Sequence, residues 1–249
     1  MSAVLESLVS LSRMLGEPAR NLAIIGEGNT SIRVDDDSFY VKASGHHLGT
    51  ITEAGFVQVG FAPILRLLDE PLTGPALQEA FLGARVDQTG AVRPSVEVTF
   101  HAMLLAECGV QCIAHTHPVE VNKILCSTRA EQFASNRTCP DEVVLCGPRS
   151  VFIPYFDPGL PLAVEMRRHV RAYIEENNEP PKVILLGNHG LIALGSSTTD
   201  AFNITQMAVK SAAIFAGACS IGEPVFMSRE DIHHIYKRPD EIFRRRQFI

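Results

Sequence analysis

The stretch Val110-Gln111-Cys112-Ile113-Ala114-His115-Thr116-His117-Pro118 decides how this chain is read. Its apolar run from Val110 to Ala114, opened by Gly109 and closed by Pro118, has the length and composition of a short buried strand. Side chains on a strand alternate between faces, so His115 and His117 point the same way, about 6–7 Å apart along the chain. Two imidazoles on one face at the end of a strand suit two corners of a transition-metal site. The plainer alternative is a pair of histidines hydrogen-bonded in a core.

Other parts of the chain aim at the same place. Lys182–Leu186 reads as a buried strand that reverses through Gly187-Asn188-His189-Gly190 into a second strand, Leu191–Leu194. A histidine flanked by glycines at such a reversal sits where backbone comes close to something, and His189 is the third candidate imidazole. Upstream, Gly26-Glu27-Gly28-Asn29-Thr30-Ser31 is a turn rich in glycine and hydroxyls, able to form an anion-binding nest or simply a β-turn. Residues 31–34 and 38–42 predict a hairpin around Asp35-Asp36-Asp37, ending in a second small-residue turn, Ala43-Ser44-Gly45. Lys42, alternating with Val41, is expected to face solvent. Pro94-Ser95 then opens a helix over 96–107, on which Glu97 and His101 share a face. A carboxylate near a helix start ordinarily serves the helix dipole; beside a metal it becomes a ligand or general base.

The remaining pattern predicts helices over 2–15, 62–68, 76–82, 119–127, 161–177 and 198–219, and strands over 56–60 and 151–155. Residues 69–93 read as a surface excursion that could serve as a lid, and 128–150 as a loop holding a short strand at 141–145. The tail, 228–249, reads as charged and partly helical, with Arg244-Arg245-Arg246 on a solvated face.

Composition narrows the classes. With 249 residues and 46% hydrophobic content, the chain can bury a sizeable core, and one domain over 1–249 is expected. A net charge of −6 gives no electrostatic reason to expect nucleic acid. No apolar run approaches the length of a membrane span, and the start lacks the basic-then-apolar order of a signal peptide. A soluble, cytoplasmic protein is the expectation. Six cysteines without C-x-x-C spacing read as reduced thiols rather than a disulfide framework.

Gly28-Asn29-Thr30-Ser31, Lys42-Ala-Ser44-Gly45, Pro94-Ser95-Val-Glu97 with His101, His115-Thr-His117-Pro118 and Asn188-His189-Gly190 form an ordered set. That set resembles the class II aldolase/adducin family, best known for the L-fuculose- and L-rhamnulose-phosphate aldolases. The resemblance implies a three-layer α/β/α fold with a central, mostly antiparallel sheet, commonly assembled as a homotetramer with sites at subunit interfaces. The tail from about 223 to 249 could then complete a neighbour's site. It implies metal ligands at His115, His117 and His189, and a divalent metal, zinc first, with Mn2+ or Co2+ as alternatives. Glu97 matches the acid/base residue, while Asn29, Thr30, Ser44, Gly45 and Ser95 match the phosphate-binding turns. Two positions depart from the fuculose-phosphate enzymes. Val96 stands where they carry a second serine, and the first tyrosine after His117 is Tyr155. Tyr236 is the candidate substitute proton donor across an interface. The resemblance implies an aldolase that cleaves a ketose phosphate through an enediolate and releases dihydroxyacetone phosphate or a close relative. A sugar-phosphate 4-epimerase and a decarboxylase of a 3-oxo sugar-acid phosphate share the motifs; Glu97 in place of aspartate argues against the epimerase. An adducin-like scaffold keeps the fold without a complete triad.

Overall fold

The computed structural model describes residues 2–90 and 92–247. In chain order the strands are β1 Asn29–Arg33, β2 Ser38–Lys42, β3 Phe56–Gly60, β4 Cys112–Thr116, β5 Val151–Ile153, β6 Val183–Leu186 and β7 Gly190–Gly195. The helices are α1 Ala3–Leu15, α2 Phe61–Asp69, α3 Gly74–Gly83, α4 Val98–Glu107, α5 Val119–Leu125, α6 Ala130–Ser135, α7 Pro140–Cys146, α8 Leu160–Asn177, α9 Thr198–Ile221, α10 Arg229–Lys237 and α11 Pro239–Arg246. Among the described residues the strands form one seven-stranded sheet in the order β3-β2-β1-β4-β7-β6-β5. Every neighbouring pair is antiparallel except β5 and β6.

Strand alternation sorts the core into two layers. On β4, Ile113 packs into a core with α2, α4 and α8, while Cys112 and Ala114 pack into another with α1, α5 and α9. The sheet is thus covered on both faces, the three-layer arrangement that the motifs imply. α9 is 24 residues long and, by length and composition alone, apolar enough to cross a membrane, contrary to the sequence reading. In the fold it lies against β7, β4, α5, α7 and α1, burying Ala201, Ile204, Ala208, Ala212 and Phe215.

Three further expectations change. Residues 141–145 are helical, within α7, not a strand. The Val143-Val144-Leu145 run mimics a strand, but Pro140 starts a helix well, and the Glu142 carboxylate reaches back to accept from the Thr138 N–H at 2.9 Å. Lys42 is 3% exposed instead of solvated, because β2 ends beneath the 26–28 turn, where its Nζ donates to the Gly26 carbonyl at 3.3 Å. In the tail, Arg245 donates to the Tyr236 carbonyl at 2.9 Å and lies over that ring, and Arg244 pairs with Asp141. These two arginines hold α11 and α10 together and against α7, Arg244 while still exposed and Arg245 half-buried.

Alternation also divides β1. Ser31 faces α4, whereas Thr30 faces α1, where its hydroxyl meets the Ser12 Oγ at 2.6 Å. The Ser12 hydroxyl donates on to the Leu8 carbonyl. Ser12→Ala should therefore leave the buried Thr30 hydroxyl without a partner and lower stability by about 1–3 kcal/mol. Adding Thr30→Val should recover most of that loss. Urea denaturation of both variants checks this, and an unchanged Ser12→Ala midpoint would contradict it.

Candidate functional site

The site forms where β1, β4 and β7 run side by side. The register sets Asn29 opposite His115 and His115 opposite Ile192, so the histidine pair and the His189 turn finish at the same end of the sheet. The three rings stand edge to edge, each pair of centroids 4.9 Å apart, and their nearest nitrogens lie within 4.8 Å of one another. His117 Nε2 is 3.1 Å from His115 Nε2. Two nitrogens bound to one tetrahedral zinc at about 2.0–2.1 Å are themselves separated by roughly 3.3 Å, so the spacing fits.

Two glycines make that approach feasible. A Cβ at Gly28, which has φ 67°, would lie 2.6 Å from the His115 carbonyl oxygen. One at Gly190 would lie 2.5 Å from the Thr116 carbonyl oxygen and 2.8 Å from His117 Cδ2. The His189 turn is held by Asn122, whose Nδ2 donates to the His189 carbonyl at 2.9 Å. Asn188 takes the left-handed conformation there.

Hydrogen bonding sets which nitrogen faces inward. His115 Nδ1 donates to the Leu191 carbonyl at 3.0 Å, so the neutral ring presents its Nε2 lone pair to the cluster. His117 Nδ1 lies 3.8 Å from the Glu27 carboxylate, on the outer side of its ring. Burial, with the neighbouring imidazoles adding to it, pulls both His115 and His117 down to about 3. Burial also lowers His189, against the pull of Glu97. Converging neutral imidazoles are the donor set that a divalent cation needs.

Glu97 stands beside them as the residue preceding α4. Its Oε2 is 3.5 Å from His115 Nε2, and its Oε1 is 3.5 Å from His189 Nε2. Oε2 accepts from Asn29 Nδ2 at 2.7 Å, while Oε1 is buried without a partner. An unpartnered buried carboxylate oxygen beside three converging imidazoles is a donor set that suits a divalent cation, so these residues fit a divalent metal. Desolvation raises the Glu97 pKa, opposed by His189, the Asn29 hydrogen bond and Lys42.

The turns close around this point. Ser95 Oγ accepts from Asn29 Nδ2 and from the Glu97 N–H, both at 3.2 Å. Ser44 N–H to Arg93 and Ser95 N–H to Lys42 tie the 43–45 turn to the 93–95 segment. The structure thus gathers His115, His117, His189, Glu97, Asn29 and Ser95, with Ser44 and Gly45 on the exposed rim. It does not bring in the Thr30 side chain, which faces α1. Nor does it bring in Tyr236 from the same chain: the Tyr236 hydroxyl donates to Glu179 at 2.9 Å, and Glu179 precedes β6 whereas His189 follows it. Burial and Glu179 push that phenol up to about 12. Lys42, expected in solvent, is buried close enough for its charge to act on Glu97. A lysine directly before a small-residue turn was the available signal.

The sequence matches the class II aldolase and adducin N-terminal domain family over residues 6–216. The chain belongs to that family. A relative in Bacillus subtilis, an uncharacterized oxidoreductase, is 26% identical over 215 residues, covering 83% of this chain; the match spans only 29% of that protein's length. The 3-oxo-tetronate 4-phosphate decarboxylase of Haemophilus influenzae is 27% identical over 84% of this chain and 85% of its own length. Among solved structures, an L-fuculose 1-phosphate aldolase superposes with a TM-score of 0.72 at 20% identity, covering 95% of this chain and 96% of that one. Family members therefore share this fold while carrying out different reactions, and the class II aldolase scaffold is common ground.

Two outcomes follow. Gly190→Ala should drive the His115 and His117 rings off their common point, so the folded variant should bind zinc far more weakly by competition titration with a chelator; unchanged affinity would contradict the close approach. Histidines of the unfolded chain take up protons near 6.5, whereas His115 and His117 in the metal-free fold resist until about 3. Stability of the metal-free protein should therefore fall as pH is lowered from about 6.5 toward 3. Thermal melts across that range measure it, and a flat profile would refute it.

Proposed function

We propose that this chain is a metal-dependent carbon–carbon lyase acting on a phosphorylated ketose, with an enediolate as the intermediate and dihydroxyacetone phosphate or a close relative as the released fragment. The observation that carries this reading is the buried, unpartnered Oε1 of Glu97, aimed at the convergence of three neutral imidazoles. His115, His117 and His189 would hold the divalent metal, zinc first by donor set, with Mn2+ or Co2+ as alternatives. Bound there, the ion supplies Lewis-acid polarisation of the substrate's carbonyl and hydroxyl oxygens.

The chain's own groups do the rest. Glu97 takes the proton of the hydroxyl whose carbon is released, and returns a proton to the carbon left carrying charge. Desolvation raises its pKa above the ordinary carboxylate value, which favours a group that must both take and give a proton. Ser44 and Gly45 on the rim, with Ser95 beneath them, would receive the phosphate, and the buried Lys42 ammonium would oppose its charge. Tyr236 could act only on a neighbouring copy, after its hydroxyl leaves Glu179. Assembly as a homotetramer belongs to this proposal and is read by light scattering.

One observation favours a second reaction at the same site. The near full-length decarboxylase relative supports loss of carbon dioxide from a 3-oxo sugar-acid phosphate, a bond cleavage that leaves the same enediolate for Glu97 to protonate. Exchange of carbon-bound hydrogen of dihydroxyacetone phosphate in D2O, followed by NMR on zinc-loaded protein, reads the protonation step that both readings share, and condensation of dihydroxyacetone phosphate with added aldehydes separates the two. Exchange that Glu97→Gln reduces by about 10²–10⁴-fold without loss of zinc is the expected result. Carbon dioxide release from 3-oxo-tetronate 4-phosphate without condensation with any aldehyde would replace the aldolase reading with the decarboxylase.

A further inference from the structure

His101 is wholly buried on α4, and neither of its ring nitrogens is spent on the metal-binding cluster. Its Nδ1 meets the Ser31 hydroxyl at 2.7 Å, and its Nε2 meets Asn29 Oδ1. Asn29 in turn gives Nδ2 to Glu97 Oε2 at 2.7 Å and to Ser95 Oγ at 3.2 Å. Each of the chain's four side chains is nine-tenths or more buried, so water cannot substitute for a missing partner.

The proton positions in this chain follow from what each atom can do. The clamped carboxylate oxygen Oε2 accepts, so the Asn29 amide must turn its NH2 toward Glu97 and its oxygen toward His101. An amide oxygen only accepts, so His101 Nε2 carries the ring proton. A neutral ring protonated at Nε2 has a bare Nδ1, so the Ser31 hydroxyl donates. The sequence Ser31 to His101 to Asn29 to Glu97 therefore runs in one direction. The opposite tautomer would set a lone pair against the Asn29 oxygen, and the amide could relieve that only by turning its oxygen toward the Glu97 carboxylate.

We propose that His101 is a positioning residue that fixes the Asn29 amide, and through it holds Oε2 of Glu97 so that the unpartnered Oε1 faces the three imidazoles. The inference rests on the reading of Glu97 as the proton-moving group. It also assigns Asn29 to Glu97 rather than to the substrate's phosphate, since both amide hydrogens are already given.

The test compares His101→Leu, which removes both ring contacts, with His101→Gln, whose side-chain amide can still donate to Asn29. Metal content is measured in each, and the rate of hydrogen exchange in dihydroxyacetone phosphate is followed as a function of its concentration. His101→Leu should keep its zinc and lose about 10²-fold in kcat with little change in KM, and His101→Gln should recover most of the loss. A rise in KM with kcat unchanged would overturn the proposal, as would a glutamine variant no better than leucine. Should the leucine variant fail to fold, Ser31→Ala serves in its place and should lower kcat with the ring still present; unchanged kcat there would count against the proposal. Histidine-selective 15N NMR of the zinc-loaded wild type needs no substrate, so it stands even if dihydroxyacetone phosphate proves inert and the lyase reading fails. It should show His101 as the neutral tautomer protonated at Nε2, with the Asn29 side-chain amide protons slow to exchange. A ring protonated at Nδ1 would overturn the proposal.

Discussion

Three imidazoles whose nitrogens lie within 4.8 Å of one another need a shared proton or a cation between them. The structure sets that requirement at the end of its central sheet. The Leu191 carbonyl takes the Nδ1 proton of His115 and so commits that ring's Nε2 lone pair to the cluster. Burial then keeps the rings neutral, which preserves the lone pairs when the protein is free of metal. The arrangement is intelligible as a cation site and is hard to account for as hydrophobic packing.

What makes the cluster affordable is its place in the sheet. β4 lies between β1 and β7, so the backbone polar groups beside the histidines are satisfied by the ladders, and the chain departs from regular pairing only just beyond the strand ends. Gly28 and Gly190 allow neighbouring chain segments to close in where a Cβ would collide with backbone. The layers beneath are apolar on both faces of the sheet.

The same site can serve more than one reaction. An enediolate results whether carbon–carbon cleavage expels an aldehyde or carbon dioxide, and in each case a buried acid must deliver a proton to carbon. Relatives with different reactions on one scaffold are consistent with that shared intermediate, since function resides in the groups at the site and not in the fold. Which fragment leaves depends on the walls that hold the remainder of the substrate.

The sequence by itself determined the local elements whose signals are short in range. The histidine pair on one strand face, the glycine-flanked His189 reversal and the α4 start at Pro94-Ser95 are all legible because strand alternation and helix initiation depend on neighbours within a few residues. It misread Val143-Val144-Leu145, whose β-branched content outweighed the Pro140 and Glu142 signals, because side-chain composition is only a weak guide to backbone state. Tertiary structure alone decided which face of β1 met which helix, and so set Thr30 against Ser12 and Ser31 against His101. It also decided that Lys42 is buried under the 26–28 turn and that Tyr236 is bonded to Glu179. Those outcomes depend on contacts between residues 16 to 70 positions apart, which no local pattern encodes.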